Sequence, residues 1–249
     1  MLKTAIIIQA RTNSTRLPNK VILPFYQDKS ILKILIEKLK KTGIKLYVAT
    51  TKSDKDNLIE KIADETGVNC FRGDEKNVLS RFYSICKKNN LTHAIRVCSD
   101  NPFINISLLK DLVNNLKNYQ SMDYVGFFDQ NDRPMILSHF GIFSEIISFN
   151  ALKKIFQSKA KQKYLEHVTN YVYENPNKFK ILKLRANKIF DSVQNIRLTI
   201  DNSIDFQIAS SIFSSYHGDH ESYEDLIDYI TNQTDLINQM GININKNKK

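Results

Sequence analysis

Arg11, Ser14, Arg16 and Lys20 follow directly on the apolar run Ala5 to Ile8, so a buried strand empties into a loop that carries cations and a hydroxyl. Guanidinium forks bind phosphate oxygens bidentately and an ammonium acts as a point charge, which suits the loop to a polyphosphate. Without the glycines of a P-loop, the positive charge has to come from side chains rather than from wrapped backbone amides. Pro18 stiffens the backbone ahead of Lys20. The plainer alternative is a solvated basic loop. Asp100 follows the apolar run Ala94 to Cys98 and precedes Pro102, and Asp201 follows Ile196 to Ile200. Carboxylates at strand ends are hard-oxygen ligands for magnesium, although either Asp alone is equally a turn or helix-cap residue. Ser203 is the better cap candidate after Asp201.

A second group is Arg72-Gly73-Asp74 with Arg81. An Arg and a Gly ending a short strand, followed by an Asp that opens a helix, can present a guanidinium and backbone groups to a base or a phosphate. The alternative is that Asp74 caps the helix and Arg81 pairs with a carboxylate. A third group is Glu145 with Glu166-His167-Val168-Thr169, where a predicted helix puts Glu166 and Thr169 on roughly one side. A neutral imidazole such as His167 is a competent base near pH 7, but a lone His is more commonly a structural hydrogen bonder.

The elements that must position these groups alternate. Strand-like runs at Ile44 to Thr50, Val68 to Phe71, Ala94 to Cys98 and Asp123 to Phe127 are separated by helical stripes. Those stripes cover Ser30 to Thr42 with Gly43 as stop, Asp54 to Thr66 with Gly67, Asn77 to Asn89, and Ser107 to Leu116 opened by Ser107. In the second stripe Leu58, Ile59, Ile62 and Ala63 share a face. This order predicts an α/β fold, a doubly wound, mostly parallel sheet with its ligand site beyond the carboxyl ends of the strands. After residue 128 the rhythm changes. A turn-rich connection, an antiparallel-type strand from Gly141 to Ser148 and helices over Phe149 to Ser158 and Lys161 to Tyr173 read as a small α+β insertion over 129–178. Residues 179–240 then return to the sheet through strands at Phe179 to Leu184 and Ile196 to Ile200 and a helix at Ser203 to Ser214. An acidic helix over Glu221 to Gln239 follows, and 241–249 reads as a frayed, disordered tail.

Composition narrows the function classes. A chain of 249 residues with 42% hydrophobic and 25% charged residues is an ordinary globular protein. No apolar run approaches the roughly 20 residues of a membrane span, and Met1-Leu2-Lys3 leads into a strand without a signal-peptide cleavage site, so a cytoplasmic location is expected. Cys70, Cys86 and Cys98 lack metal spacing and read as reduced thiols, with no disulfide expected. The net charge of +10 could attract nucleic acid, but no aromatic-interleaved basic ribbon or zinc-finger spacing supports that partner. A nucleoside triphosphate and a sugar carboxylate would gain equally from a positive site.

The loop spacing R-x-x-S-x-R-x-x-x-K after Gln9-Ala10 resembles the N-terminal signature of the sugar-acid cytidylyltransferases, the CMP-Kdo and CMP-sialate synthetases, with the SpsF spore-coat polysaccharide group the nearest likeness. Phe71-Arg72-Gly73-Asp74, Val78 to Phe82, Arg96 to Pro102, Glu166 to Thr169 and Arg197 to Asp201 fall in the family's order. The resemblance implies a Rossmann-like nucleotidyltransferase fold and transfer of CMP from CTP to a 2-keto-3-deoxy sugar acid, releasing pyrophosphate, for surface polysaccharide. It implies Mg²⁺ on Asp100 and Asp201, and catalytic roles for these two with Arg11 and Lys20. Nucleotide binding would fall to Gln9, Ala10, Arg11, Ser14, Arg16, Lys20, Arg72, Asp74, Arg81 and Ser99. The acceptor sugar would meet Glu145, Glu166, His167 and Thr169, and a homodimer would use the 130–175 segment. The chain departs from the nearest group's pattern at Ser99, at Ser138-His139-Phe140-Gly141 with Phe143, and at Asn202-Ser203-Ile204. Two competing classes are a catalytically inactive nucleotide-binding partner protein and a nucleotide-sugar-dependent glycosyltransferase.

Overall fold

The run Ala5 to Ile8 has no exposed face, so the strand it forms must be covered by helices on both sides. The computed structural model describes residues 2–158, 161–218 and 221–246. Its strands are β1 (Thr4–Gln9), β2 (Pro24–Tyr26), β3 (Lys29–Ser30), β4 (Leu46–Thr51), β5 (Asn69–Gly73), β6 (His93–Cys98), β7 (Tyr124–Phe128), β8 (Glu145–Ser148) and β9 (Ile181–Arg185). The main sheet is seven-stranded in the order β5-β4-β1-β6-β8-β7-β9, and β2 and β3 form a separate hairpin. Every pairing in the main sheet is parallel except those of β8, which runs antiparallel to both β6 and β7.

The helices are α1 (Ile31–Lys40), α2 (Asn57–Glu65), α3 (Val78–Lys88), α4 (Ile106–Asn118), α5 (Phe149–Gln157), α6 (Gln162–Glu166), α7 (Asn170–Tyr173), α8 (Ile189–Ser192), α9 (Ser203–Ser215), α10 (Tyr223–Thr231) and α11 (Thr234–Lys246). Alternation along β1 sorts its side chains between two cores. Ile6 and Ile8 pack with Leu32 and Leu35 of α1 and Leu109 and Leu112 of α4. Ala5 and Ile7 pack with Leu79 and Phe82 of α3 and Leu152 and Ile155 of α5. Truncating Ile7 to Ala would cost about 2–5 kcal/mol, because a fully buried side chain leaves a cavity.

Several sequence expectations are corrected. Asn105, not Ser107, caps α4, its side chain accepting from Leu108 N at 2.9 Å, and Asn202, not Ser203, caps α9 in a capping box with Asp205. Leu58 is exposed, because the buried face of α2 is set by Ile59 and Ala63 one turn apart. Residues 196–200 form no strand: their N–H groups cross-link two separate partners, Leu198 and Thr199 to the His139 carbonyl and Ile200 to the Asp100 carbonyl. The helix over 161–173 breaks at His167 to Thr169, where the Thr169 hydroxyl turns inward to Glu145 at 2.8 Å. The 129–178 stretch supplies β8 to the middle of the sheet. The terminal acidic stretch is two helices, and 241–246 is helical rather than frayed, held by burial of Asn243 and Ile244; residues 247–249 of that expected tail lie outside the described residues.

Candidate active site

From β1 the chain runs outward to β4 and β5 and returns on the other side of β1 as β6. The carboxyl ends of β1 and β6 therefore flank a topological switch point, the place where an open α/β sheet forms a crevice. A cleft of ≈ 1040 Å³ opens there. It is lined by Gln9, Ala10, Arg11, Ser14, Arg16 and Lys20 from the loop after β1, by Ser99 and Asp100 after β6, by Arg81 of α3, by Glu166 and His167, and by His139, Arg197 and Asp201.

The loop is held in place by a residue that lies unremarked inside the stripe read from Asp54 to Thr66. Asp56, 1% exposed, accepts from Thr12 N at 2.8 Å, Thr12 Oγ1 at 2.6 Å, Thr50 Oγ1 at 2.9 Å and Thr51 Oγ1 at 2.5 Å. Burial alone would raise its pKa, but the bonds from Thr12, Thr51 and Thr50 outweigh it and the carboxyl titrates below the usual range. The Thr12 carbonyl in turn accepts from Ser14 N and Asn19 N, so the start of the cationic loop is pinned to the end of β4.

Each cation of that loop meets a carboxylate. Arg11 lies 2.6 Å from Glu166, Arg16 2.6 Å from Asp201 and Lys20 3.0 Å from Asp100. Lys20 also donates to the Ile200 carbonyl, which joins the two acidic positions across a hundred residues of sequence. Arg197 completes the cluster, 2.7 Å from both Asp201 and Asp205, with Asp205 itself held by Asn243. Ser99 lies outside the left-handed backbone region, so a side chain there is accommodated without strain.

Arg81 is different in kind. It is 1% exposed, donates to the Ala49 carbonyl at 3.2 Å and leaves Nε without a hydrogen-bond partner among the described residues. Burial, then the nearby Arg11 charge, pushes its pKa down to about 10. A guanidinium so placed favours an acceptor atom arriving from the cleft. Gly73 makes room for it: a Cβ at that position would lie 2.6 Å from Arg81 Cγ.

Four predicted site residues stand outside the cleft. Arg72 is a staple, bonded to the Thr51 and Ser53 carbonyls at 2.9 and 2.7 Å and to Glu60 at 2.7 Å. Asp74 closes a turn onto Lys76 N at 2.8 Å, and Asn77 caps α3 instead. Glu145 is fully buried behind the cleft, accepting from Arg96 at 2.5 Å, Tyr124 at 2.6 Å and Thr169 at 2.8 Å. Arg96 also donates to Gln9 Oε1 at 2.9 Å. Because a guanidinium only donates, that bond fixes the amide and turns the Gln9 NH₂ away from Arg96. Glu145 is therefore linked through Arg96 to cleft-lining Gln9, and Thr169 lies two residues beyond cleft-lining His167.

Among the described residues no three His, Cys, Asp or Glu side chains gather as a metal cage. Magnesium needs less: it is commonly held by one or two carboxylates together with substrate phosphates. Asp100 and Asp201 line the cleft beside the cation loop as hard-oxygen donors.

The sequence matches the family profile described as Cytidylyltransferase over residues 5–243. The chain belongs to the cytidylyltransferase family. It is 39% identical to the uncharacterized protein MJ1063 of Methanocaldococcus jannaschii over all of this chain and 97% of that one. It is 32% identical to the spore coat polysaccharide biosynthesis protein SpsF of Bacillus subtilis, over 83% of this chain and 85% of SpsF. Among solved structures it is similar to a cytidylyltransferase from Leptospira borgpetersenii, with a TM-score of 0.84 and 31% identity over 95% of this chain and 97% of the other. This cytidylyltransferase is thus a nucleotidyl-transfer enzyme that uses CTP, on the mostly parallel sheet expected. No helix among the described residues is long and apolar enough to cross a membrane.

Proposed function

We propose that this cytidylyltransferase transfers CMP from CTP to a hydroxyl of an acidic sugar of the 2-keto-3-deoxy kind, with release of pyrophosphate, in surface polysaccharide biosynthesis. The observation that carries the reading is the convergence of Arg11, Arg16 and Lys20 with Asp100 and Asp201 in one cleft. The acceptor class rests on the likeness of the ordered motifs to the sugar-acid enzymes, and the polysaccharide role on the similarity to SpsF.

In this mechanism the triphosphate oxygens take the places that Glu166, Asp201 and Asp100 hold on Arg11, Arg16 and Lys20. Cations fixed in a partly closed cleft stabilise the charge that grows on the departing pyrophosphate. The Ser14 hydroxyl adds a donor. The base end lies toward Arg81, which meets an acceptor atom of the nucleotide, and Gln9 offers its oriented NH₂. The acceptor hydroxyl attacks the α-phosphorus, the bond to the β-phosphate oxygen breaks, and the hydroxyl proton is released; Glu166 and His167 line the cleft beside the acceptor. Asp100 and Asp201 would hold Mg²⁺, which supplies Lewis-acid neutralisation of phosphate charge when bound.

A pyrophosphate-release assay with CTP, Mg²⁺ and a panel of sugar acids tests the proposal. Release that requires both CTP and a sugar acid, with a CMP-sugar as product, supports it; release with neutral sugar phosphates alone, or none with any acid, overturns the acceptor assignment.

A further inference from the structure

Asp201 is held at three points. Its Oδ1 lies 2.6 Å from Arg16, its Oδ2 lies 2.7 Å from Arg197, and its backbone N donates to Asp205 Oδ2 at 2.9 Å. Two of these holds lead to Asp205, because Arg197 also donates to that carboxylate, from Nε at 2.7 Å and from Nη2 at 3.0 Å. Arg197 and Asp205 are each 3% exposed. A solvent-excluded ion pair of this kind needs further hydrogen bonds on its remaining positions. On Arg197, Nη1 is 2.8 Å from His139 Nδ1. On Asp205, the further donors are Asn202 N at 3.3 Å and a side chain of the last helix.

That side chain is Asn243, also 3% exposed. An ionised carboxylate only accepts, so the amide turns its Nδ2 to Asp205 Oδ1. The same amide pairs with that of Asn202, with N–O distances of 3.3 and 3.4 Å. Asn202 caps α9, its Oδ1 accepting from Asp205 N at 2.9 Å, so Asn243 grips the start of α9 at both its cap and its acid. Three positions earlier on α11, Met240 is 1% exposed and takes the Arg197 N–H on its sulfur at 3.4 Å. Residues three apart share a helix face, and this face of α11 lies along the stretch from Arg197 to Asp205. Among the described residues no member of α11 lines the cleft, so its influence there passes through Arg197 and Asp205.

We propose that Asn243 is a positioning residue for Asp201, which makes the C-terminal helix part of a centre that it does not line. The Asn243 donor fixes Asp205 against rotation. Asp205 in turn fixes the Arg197 fork and the Asp201 N–H, and these two set the direction in which the Asp201 carboxylate enters the cleft. A hydrogen-bonding partner behind a metal-ligating carboxylate orients it, and losing such a partner typically lowers metal affinity by about ten- to a hundredfold. This role rests on the assignment of Mg²⁺ to Asp201 proposed above and adds the residue that aims the ligand.

The test is Mn²⁺ binding to the full chain with CTP present, read by water-proton relaxation, beside CTP binding in EDTA read by calorimetry. Manganese takes the same hard-oxygen ligands as magnesium. Asn243→Ala should weaken Mn²⁺ binding by at least about tenfold, while metal-free CTP affinity stays within about threefold, less than the usual worth of one hydrogen bond. Asn243→Leu, which fills the space without a donor, should weaken Mn²⁺ binding alike. Ile244→Ala controls for loosening of the helix: Ile244 is buried beside Asn243 in sequence, and its truncation should lower the melting temperature with Mn²⁺ affinity unchanged. Unchanged Mn²⁺ affinity in either Asn243 variant, or an equal loss in Ile244→Ala, overturns the positioning role while leaving the metal centre standing. A wild type that binds Mn²⁺ with CTP no more tightly than CTP alone does overturns the metal assignment, and the positioning role with it.

Discussion

Lys20 Nζ lies 3.0 Å from Asp100 Oδ2 and donates also to the Ile200 carbonyl, so one ammonium bridges the end of β6 and the segment that leads to Asp201. Removing it should leave the fold intact, because Asp100 is partly exposed and can be hydrated. Lys20→Ala is expected to lower turnover at least about tenfold, as loss of a charge acting in the transition state does. Circular dichroism and kcat together check this. Wild-type kcat in a folded variant would remove Lys20 from the chemistry.

Asp56 should matter through the loop it anchors. Asp56→Asn leaves donors facing a side chain that also donates, and is expected to cost about 2–3 kcal/mol of stability. The sign of the pH dependence follows from the lowered native pKa: the contribution is full above the unfolded carboxyl pKa of about 4 and is lost as pH falls through the native value. Denaturant melts of wild type and variant should therefore converge on acidification. A constant gap down to pH 2 would contradict the assignment.

A Cβ on Gly73 would lie 2.6 Å from Arg81 Cγ. Gly73→Ala should displace the Arg81 stem and raise Kd for CTP about tenfold, the worth of a hydrogen bond to a buried charge. Titration calorimetry with CTP measures it. If CTP binds the variant as it binds the wild type, Arg81 does not contact the nucleotide.

On the proposed mechanism Glu166, paired with Arg11 at 2.6 Å, competes with the triphosphate for it. Glu166→Gln should tighten CTP binding by about twofold to fivefold, the range of a half-exposed ion pair, and the gain should fade as salt screens the pair. Weaker CTP binding at low salt would show that Glu166 supports the nucleotide site instead.

Much of the fold was legible because the signals were local. Ala5 to Ile8 announces a central strand, Gly43 and Gly67 stop α1 and α2 in the left-handed region, and the loop after β1 carries its cations in sequence. Asp56 was not legible: three threonines from two separate stretches of chain converge on it, and its own neighbourhood reads as a helix start. Glu145 and Thr169 were expected at the acceptor from the family likeness, yet both are buried, bonded to each other and outside the cleft. The extended segment before Asp201 carries a strand's residue types, and only the tertiary partners His139 and Asp100 reveal that it joins no ladder.

The most direct measurement is metal-dependent pyrophosphate release by the paired substitution Asp100→Asn and Asp201→Asn. Wild type should release pyrophosphate from CTP and a sugar acid with saturable dependence on Mg²⁺, and the doubly substituted protein, folded and still holding Arg11, Arg16 and Lys20, should lose that turnover by at least about a hundredfold. Turnover with the wild-type rate and magnesium dependence would contradict a catalytic centre at these two carboxylates.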